Sequence, residues 1–159
     1  MRGFWYRTAM FGALVLGLAP LAYVAEKTGG EPAPIGEYSG KVVPLADLAG
    51  KAGIKLDADA APHALVLAGD DGKVWFLLKD GGSRLFFKDS ALLNRPMRLT
   101  GRPLPGSQIL RVMAVRSLVK GQPHEVYYWC DICAIKRGEK SICECCGGPM
   151  DLKEEPLGK

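Results

Sequence analysis

All five cysteines of this 159-residue chain fall between Cys130 and Cys146, in the run CDICAIKRGEKSICECC. Nothing else in the sequence restricts the fold as tightly. Cys130 and Cys133 form one C-x2-C pair, Cys143 and Cys146 a second, with nine residues between them and Gly147-Gly148 directly after. A C-x2-C pair in a tight turn presents two sulfurs to one tetrahedral ion. Two such pairs on facing turns complete a closed four-sulfur shell, the usual structural zinc arrangement. A glycine after the second pair suits a turn that must curl without a Cβ clash. The intervening AIKRGEKSI reads as a short hairpin, Ile135 and Ile142 flanking a polar turn at Gly138. Lys136, Arg137 and Lys140 lie in that turn, where cations would offset the double negative charge of four thiolates around a divalent ion.

The spacing leaves other chemistries open. Twin C-x2-C zinc sites commonly have spacers of about 15–20 residues, longer than the nine here, though a tight hairpin could close over nine. Cys145 is surplus, and a shell using Cys145 in place of Cys143 or Cys146 satisfies the same spacing. Outside the cytoplasm, two disulfides plus one free thiol would be ordinary chemistry. A redox-active Cys130/Cys133 dithiol is a third reading, because C-x2-C geometry can lower a thiol pKa. Zinc held by Cys130, Cys133, Cys143 and Cys146 fits the pattern best.

The N-terminus decides where this chemistry would sit. Residues 8–25, TAMFGALVLGLAPLAYVA, carry no charge, and 18 helical residues span ~27 Å, just enough for a bilayer core. Trp5, Tyr6 and Tyr23 stand at interfacial positions. Arg2 and Arg7 precede the segment, while Glu26, Glu31 and Glu37 dominate the residues on its C-terminal side. The positive-inside rule then leaves the N-terminus cytoplasmic and puts residues 26–159 on the extracytoplasmic (periplasmic) side of a single-pass anchor. A cleaved signal peptide is the competing reading. Cutting after Ala25 or Ala22 places Tyr23 or Pro20 at the −3 position, and cutting after Ala19 leaves a brief apolar region, so residues 1–25 fit an uncleaved anchor better. Residues 26–37, EKTGGEPAPIGE, have the composition of a linker.

The rest reads as one turn-rich β domain, 38–129, followed by the cysteine segment, 130–150, and a charged tail, 151–159, that is a brief strand or a frayed end. The 20 glycines and 11 prolines fit short strands better than a helical bundle. YSGKVV, 38–43, is a first strand. PLADLAGKAG, 44–53, is a short helix with Pro44 in its first turn. Residues 63–80 form a hairpin about Asp71-Gly72, whose turn needs positive φ. In 81–94, Asp89 or Ser90 caps a brief helix holding Leu92 and Leu93. Residues 95–106 return to strand and then turn, with Gly101 at a bulge or bend. A long strand, 107–121, and a last one, 124–130, come next and run straight into the first C-x2-C turn. This pattern predicts a mainly β fold, a small OB-like barrel of five or six strands with one or two short helices.

Other sites are weak. The net charge is +4, and setting aside Arg2 and Arg7 leaves 19 basic against 17 acidic residues, no electrostatic footprint for nucleic acid. His63 and His124 stand at strand ends with no nucleophile spaced for a triad. Tyr127, Tyr128 and Trp129 alternate between strand faces and serve the core or cover a metal turn more readily than they stack bases. Phe86 and Phe87 read the same way. Asp70-Asp71 is turn chemistry, and Gly81-Gly82 lacks the Lys-Ser/Thr of a phosphate loop.

The stretch 95–118 resembles the strand-Gly-turn-strand end of OB-like barrels. GKVVPL, APHALVLAGDDGKVWFLLKDGG, LLNRPMRLTGR, EVYYWCDIC and CECCGGPM together resemble a family of planctomycete membrane-anchored proteins with an OB-like domain and a cysteine-rich, zinc-ribbon-like tail. That resemblance implies architecture and no reaction. The expectation is a membrane-anchored, extracytoplasmic binding or assembly protein with a structural zinc and a partner in the cell envelope. A thiol-disulfide protein using Cys130/Cys133 and a single-stranded nucleic-acid binder are the two rivals.

Overall fold

The computed structural model describes residues 33–158. The expected anchor, with Trp5, Tyr6, Tyr23 and its flanking arginines, lies outside the described residues. Among the described residues no helix is long and apolar enough to cross a membrane.

The fold is mainly β. In chain order the elements are β1 (Gly36–Pro44), α1 (Leu45–Lys51), β2 (Leu65–Gly69), β3 (Val74–Leu77), α2 (Arg84–Lys88), β4 (Pro96–Pro103), β5 (Ile109–Val119), β6 (Gln122–Cys130), β7 (Ile135–Arg137) and β8 (Asp151–Pro156), with 3-10 turns at Ala61–His63 and Ser90–Leu92. Pro44 stands at the N-cap of α1, where its missing N–H costs nothing. The β2–β3 turn forms at Asp71-Gly72 with Gly72 at φ 80°, as the sequence pattern requires. Asp89 caps the 3-10 turn by accepting from the Ala91 N–H at 3.1 Å. α2, which buries Leu85 and Phe86, was not anticipated, and the helix expected around Leu92 is a single turn.

Five strands pair in a closed circuit. β1 is antiparallel to β2 and to β4, β2 to β3, and β4 to β5, while β3 and β5 join in parallel through Phe76↔Ile109 and Leu77↔Leu110. The β4–β5 register shifts between Thr100 and Gly101, at the glycine expected to mark a bulge or bend. Alternation sends Val42, Leu67, Met97, Leu99 and Leu110 into the circuit, where they are fully buried.

β6, expected as the last strand of the β domain, is followed by two more, β7 and β8. Its residues 122–125 pair with β5, 128–130 with β7, and 124–129 with β8. Because β8 overlaps both other registers, β5 and β7 share one edge of β6 and β8 takes the opposite edge. β6 is therefore the strand common to the circuit and the cysteine segment. The charged tail is held there as a strand. Arg95, just ahead of β4, forks onto Glu154 of β8 at 2.6 and 2.8 Å, a bidentate pair of the stronger kind.

The hairpin expected between Ile135 and Ile142 does not form. Ile135 pairs back to Cys130, and Ile142 bridges Pro149. Each C-x2-C pair closes its own loop, which leaves residues 138–141 as a connection between two turns.

Candidate metal centre

The two cysteine turns repeat one geometry. In the first, the Ala134 N–H donates to the Cys130 carbonyl at 2.9 Å; in the second, the Gly147 N–H donates to the Cys143 carbonyl at 2.8 Å. Ala134 and Gly147, each directly after its C-x2-C pair, have φ of 54° and 70°. The chain must turn left-handed there to bring both sulfurs round to the same side, a conformation glycine adopts freely and alanine only at some cost. A further bond, from the Cys143 N–H to the Gly148 carbonyl at 2.8 Å, closes the second turn.

The sulfurs converge. One Sγ from each of Cys130, Cys133, Cys143 and Cys146 lies within 4.8 Å of every other. Cys130 and Cys146, from different turns, are 3.6 Å apart. Four ligands at ~2.3 Å from a tetrahedral ion stand ~3.8 Å from one another, so the sulfurs sit near the edge length such an ion needs. All five cysteines are free thiols. The site residues expected from spacing are therefore the ones brought together, and they could hold a metal ion. Cys145 is outside the four and exposed.

Backbone donors tune the sulfurs. Amide N–H groups of Cys146 and then Cys145 point at the Cys143 sulfur and bring its pKa down to about 7. At Cys130 the N–H groups of Cys133 and Ile132 act in the same direction, but burial and the thiols of Cys143 and Cys146 outweigh them and the net shift is upward. Cys145, then burial, push the Cys133 thiol up. Thiols crowded in this way resist losing their protons together. A divalent cation would reverse that balance and take all four as thiolates.

The three cations expected to offset the sulfur charge are each engaged by a carboxylate. Lys136 pairs with Glu125 at 2.7 Å and lies over the Tyr127 ring, Arg137 pairs with Glu144, and Lys140 reaches Asp89 at 3.3 Å. The last contact belongs to a network that spacing alone did not reveal. Asp89 is buried beside α2 and accepts from the Tyr128 hydroxyl at 2.8 Å. Burial pushes its carboxyl up, but donors from Ala91, Tyr128 and Lys140 prevail and hold it below the usual range. Next to Lys140, Glu139 pairs with Lys88 of α2 at 2.9 Å. The 138–140 connection is thus tied to the circuit at α2 and the turn after it.

Cys130 and Cys143 are almost wholly buried and belong to one apolar cluster with Tyr128, Met150, Leu85 and Leu99. The sulfur site grows out of the hydrophobic core. His124 donates through Nδ1 to the Gln122 carbonyl at 2.9 Å, and neither histidine joins the sulfur cluster. Of the aromatic triplet, Tyr128 is fully buried and Trp129 partly exposed. No protein-family model, curated protein or solved structure matches the chain.

Proposed function

We propose that this chain is a membrane-anchored, extracytoplasmic binding or assembly protein, an OB-like barrel whose last strand is stapled by a structural zinc at Cys130, Cys133, Cys143 and Cys146. The observation that carries the reading is the mutual approach of those four sulfurs within 4.8 Å. The strand circuit 1-2-3-5-4, its parallel β3–β5 closure and the helix between β3 and β4 support an OB-like barrel. Sulfur ligands from tandem tight turns favour zinc over the harder cations. Four thiolates fill a tetrahedral shell and leave no open position for water, which favours a structural role over hydrolysis. When bound, the ion supplies cross-linking and charge neutralisation. The protein's own backbone N–H donors at the sulfurs orient them for it.

Metal analysis of the full chain, purified anaerobically in detergent, tests this directly. About one zinc per chain is expected, with chelation causing cooperative loss of β structure by circular dichroism. A metal-free protein with a reducible Cys130–Cys133 disulfide would replace this reading with the thiol-disulfide one. The placement is checked separately. An export-dependent reporter enzyme fused after Lys159 is expected to be active, and a silent fusion whose cytoplasm-dependent counterpart is active sinks the extracytoplasmic assignment.

A further inference from the structure

The outer face of β4 and β5 carries an arrangement that costs the fold something. Arg98 stands directly opposite Arg116, and Arg102 directly opposite Arg111. Like charges across a strand pair repel, and here this happens twice on one face. Between the two pairs lie the small side chains of Thr100 and Ala114, opposite each other, with Met113 beside them on β5. The pairs are four residues apart along β4, ~13 Å. Arg111 has Asp80 at 3.2 Å, and Arg98 has Glu37 at 4.0 Å. Among the described residues Arg116 reaches only the Thr100 hydroxyl, at 3.3 Å, and Glu125, across from it on β6, is taken by Lys136. Among the described residues Arg102 has no carboxylate partner, and its Nε is shielded from solvent without an acceptor.

Apolar side chains border the same face. Met113, the extra residue at the β4–β5 register shift, is 56% exposed. Phe76, opposite Ile109 on the β3–β5 edge, and Leu104 are exposed as well. Cations interleaved with exposed aliphatic groups match an interface with anionic headgroups above an apolar layer. Single-stranded nucleic acid would ask for successive aromatic platforms, and Phe76 is the one exposed large aromatic here.

We propose that this arginine-lined face of β4 and β5 docks onto an anionic phospholipid surface, whose phosphates supply the anionic partners that Arg102 and Arg116 lack. The choice of occupant rests on the membrane-anchor reading above. β1 follows the linker and pairs with β4 from Gly36↔Gly101 to Lys41↔Pro96. The arginines therefore lie on the strand next to the one by which the chain arrives. The ten residues 26–35 reach at most ~35 Å, which keeps this face within range of the bilayer.

The test places the full chain in phosphatidylcholine nanodiscs, with or without about one-third phosphatidylglycerol, and follows peroxide oxidation of Met113 by peptide mass spectrometry. At low salt Met113 is expected to oxidise about fivefold more slowly in the anionic discs, with protection lost at about 0.5 M salt. Arg98→Gln/Arg116→Gln should also lose the protection while keeping a melting temperature at or above wild type, because it removes a like-charge pair. Equal oxidation rates in the two lipids overturn the proposal. So does protection by a single-stranded oligonucleotide but not by phosphatidylglycerol, which would make the face a nucleic-acid site. If the chain does not enter phosphatidylcholine discs, the anchor reading fails on its own. Flotation on phosphatidylglycerol vesicles then decides: salt-sensitive binding lost in the double variant supports docking, and no binding overturns it.

Discussion

Replacing Cys143 with serine is expected to abolish zinc retention and lower the melting temperature by about 10 °C or more, whereas Cys145→Ser should leave both near wild type. The asymmetry follows from where the two sulfurs sit. Cys143 is 1% exposed, is one of the four converging thiols and packs in the same apolar cluster as Tyr128 and Leu99. Serine offers a harder, more weakly binding oxygen, and the three remaining thiols must then be buried without the ion that neutralises them. The damage does not stay local, because β6 is shared between the five-strand circuit and the pairings to β7 and β8. Loss of the site loosens Cys130 at the end of that strand, and β7 and β8 lose the turns that return them to it. Atomic emission for zinc and calorimetry on the three proteins read the two effects independently. Retention of zinc by Cys143→Ser with loss in Cys145→Ser would move the shell to the fifth cysteine. Retention in both would remove the four-sulfur site.

The sulfur set was legible because C-x2-C spacing is a local constraint, and each turn satisfies it within five residues. What joins the turns was not legible. A left-handed Ala134 gives no compositional signal, unlike Gly147 at the matching position, so the first turn's return to β6 was hidden and AIKRGEKSI read as one hairpin. The β2–β3 turn and the place of the β4–β5 register shift could be read because Gly72 and Gly101 mark them, although the extra residue, Met113, is on β5. The tail reads equally as a brief strand or a frayed end because DLKEEP is charged and only partly buried. It is a strand through its pairing with β6 and the Arg95 fork on Glu154, 59 residues apart in sequence. α2 was missed for a related reason: RLFFK is too short to show helical periodicity, and packing of Leu85 and Phe86 decides its conformation.

Asp89 shows how far a local reading reaches. Its role as a cap could be read from its neighbours, but its main partner, Tyr128, is 39 residues away. Asp89→Ala is expected to cost about 3 kcal/mol, because it leaves the buried Tyr128 hydroxyl without an acceptor and removes the cap on Ala91. Tyr128→Phe should cost less, about 1–2 kcal/mol, since the carboxylate keeps Ala91 and Lys140. Asp89→Asn separates charge from shape: its amide oxygen can still accept, while Lys140 loses its counterion. The pH dependence follows from the sign of the shift. The Asp89 carboxyl titrates lower when folded than when unfolded. Its contribution is therefore fully present above the unfolded value of about 3.9 and is lost as pH falls through the depressed folded one. Glu154 behaves alike, its Arg95 fork outweighing burial. Denaturant titrations of the wild type and Asp89→Asn from pH 7 to pH 3 should converge toward the acid end. Curves that stay parallel would show that the Asp89 charge contributes nothing. Thiolate protonation releases metal in the same direction, so the comparison belongs on zinc-loaded and chelated samples side by side, with the Asp89 effect expected wherever β6 remains folded.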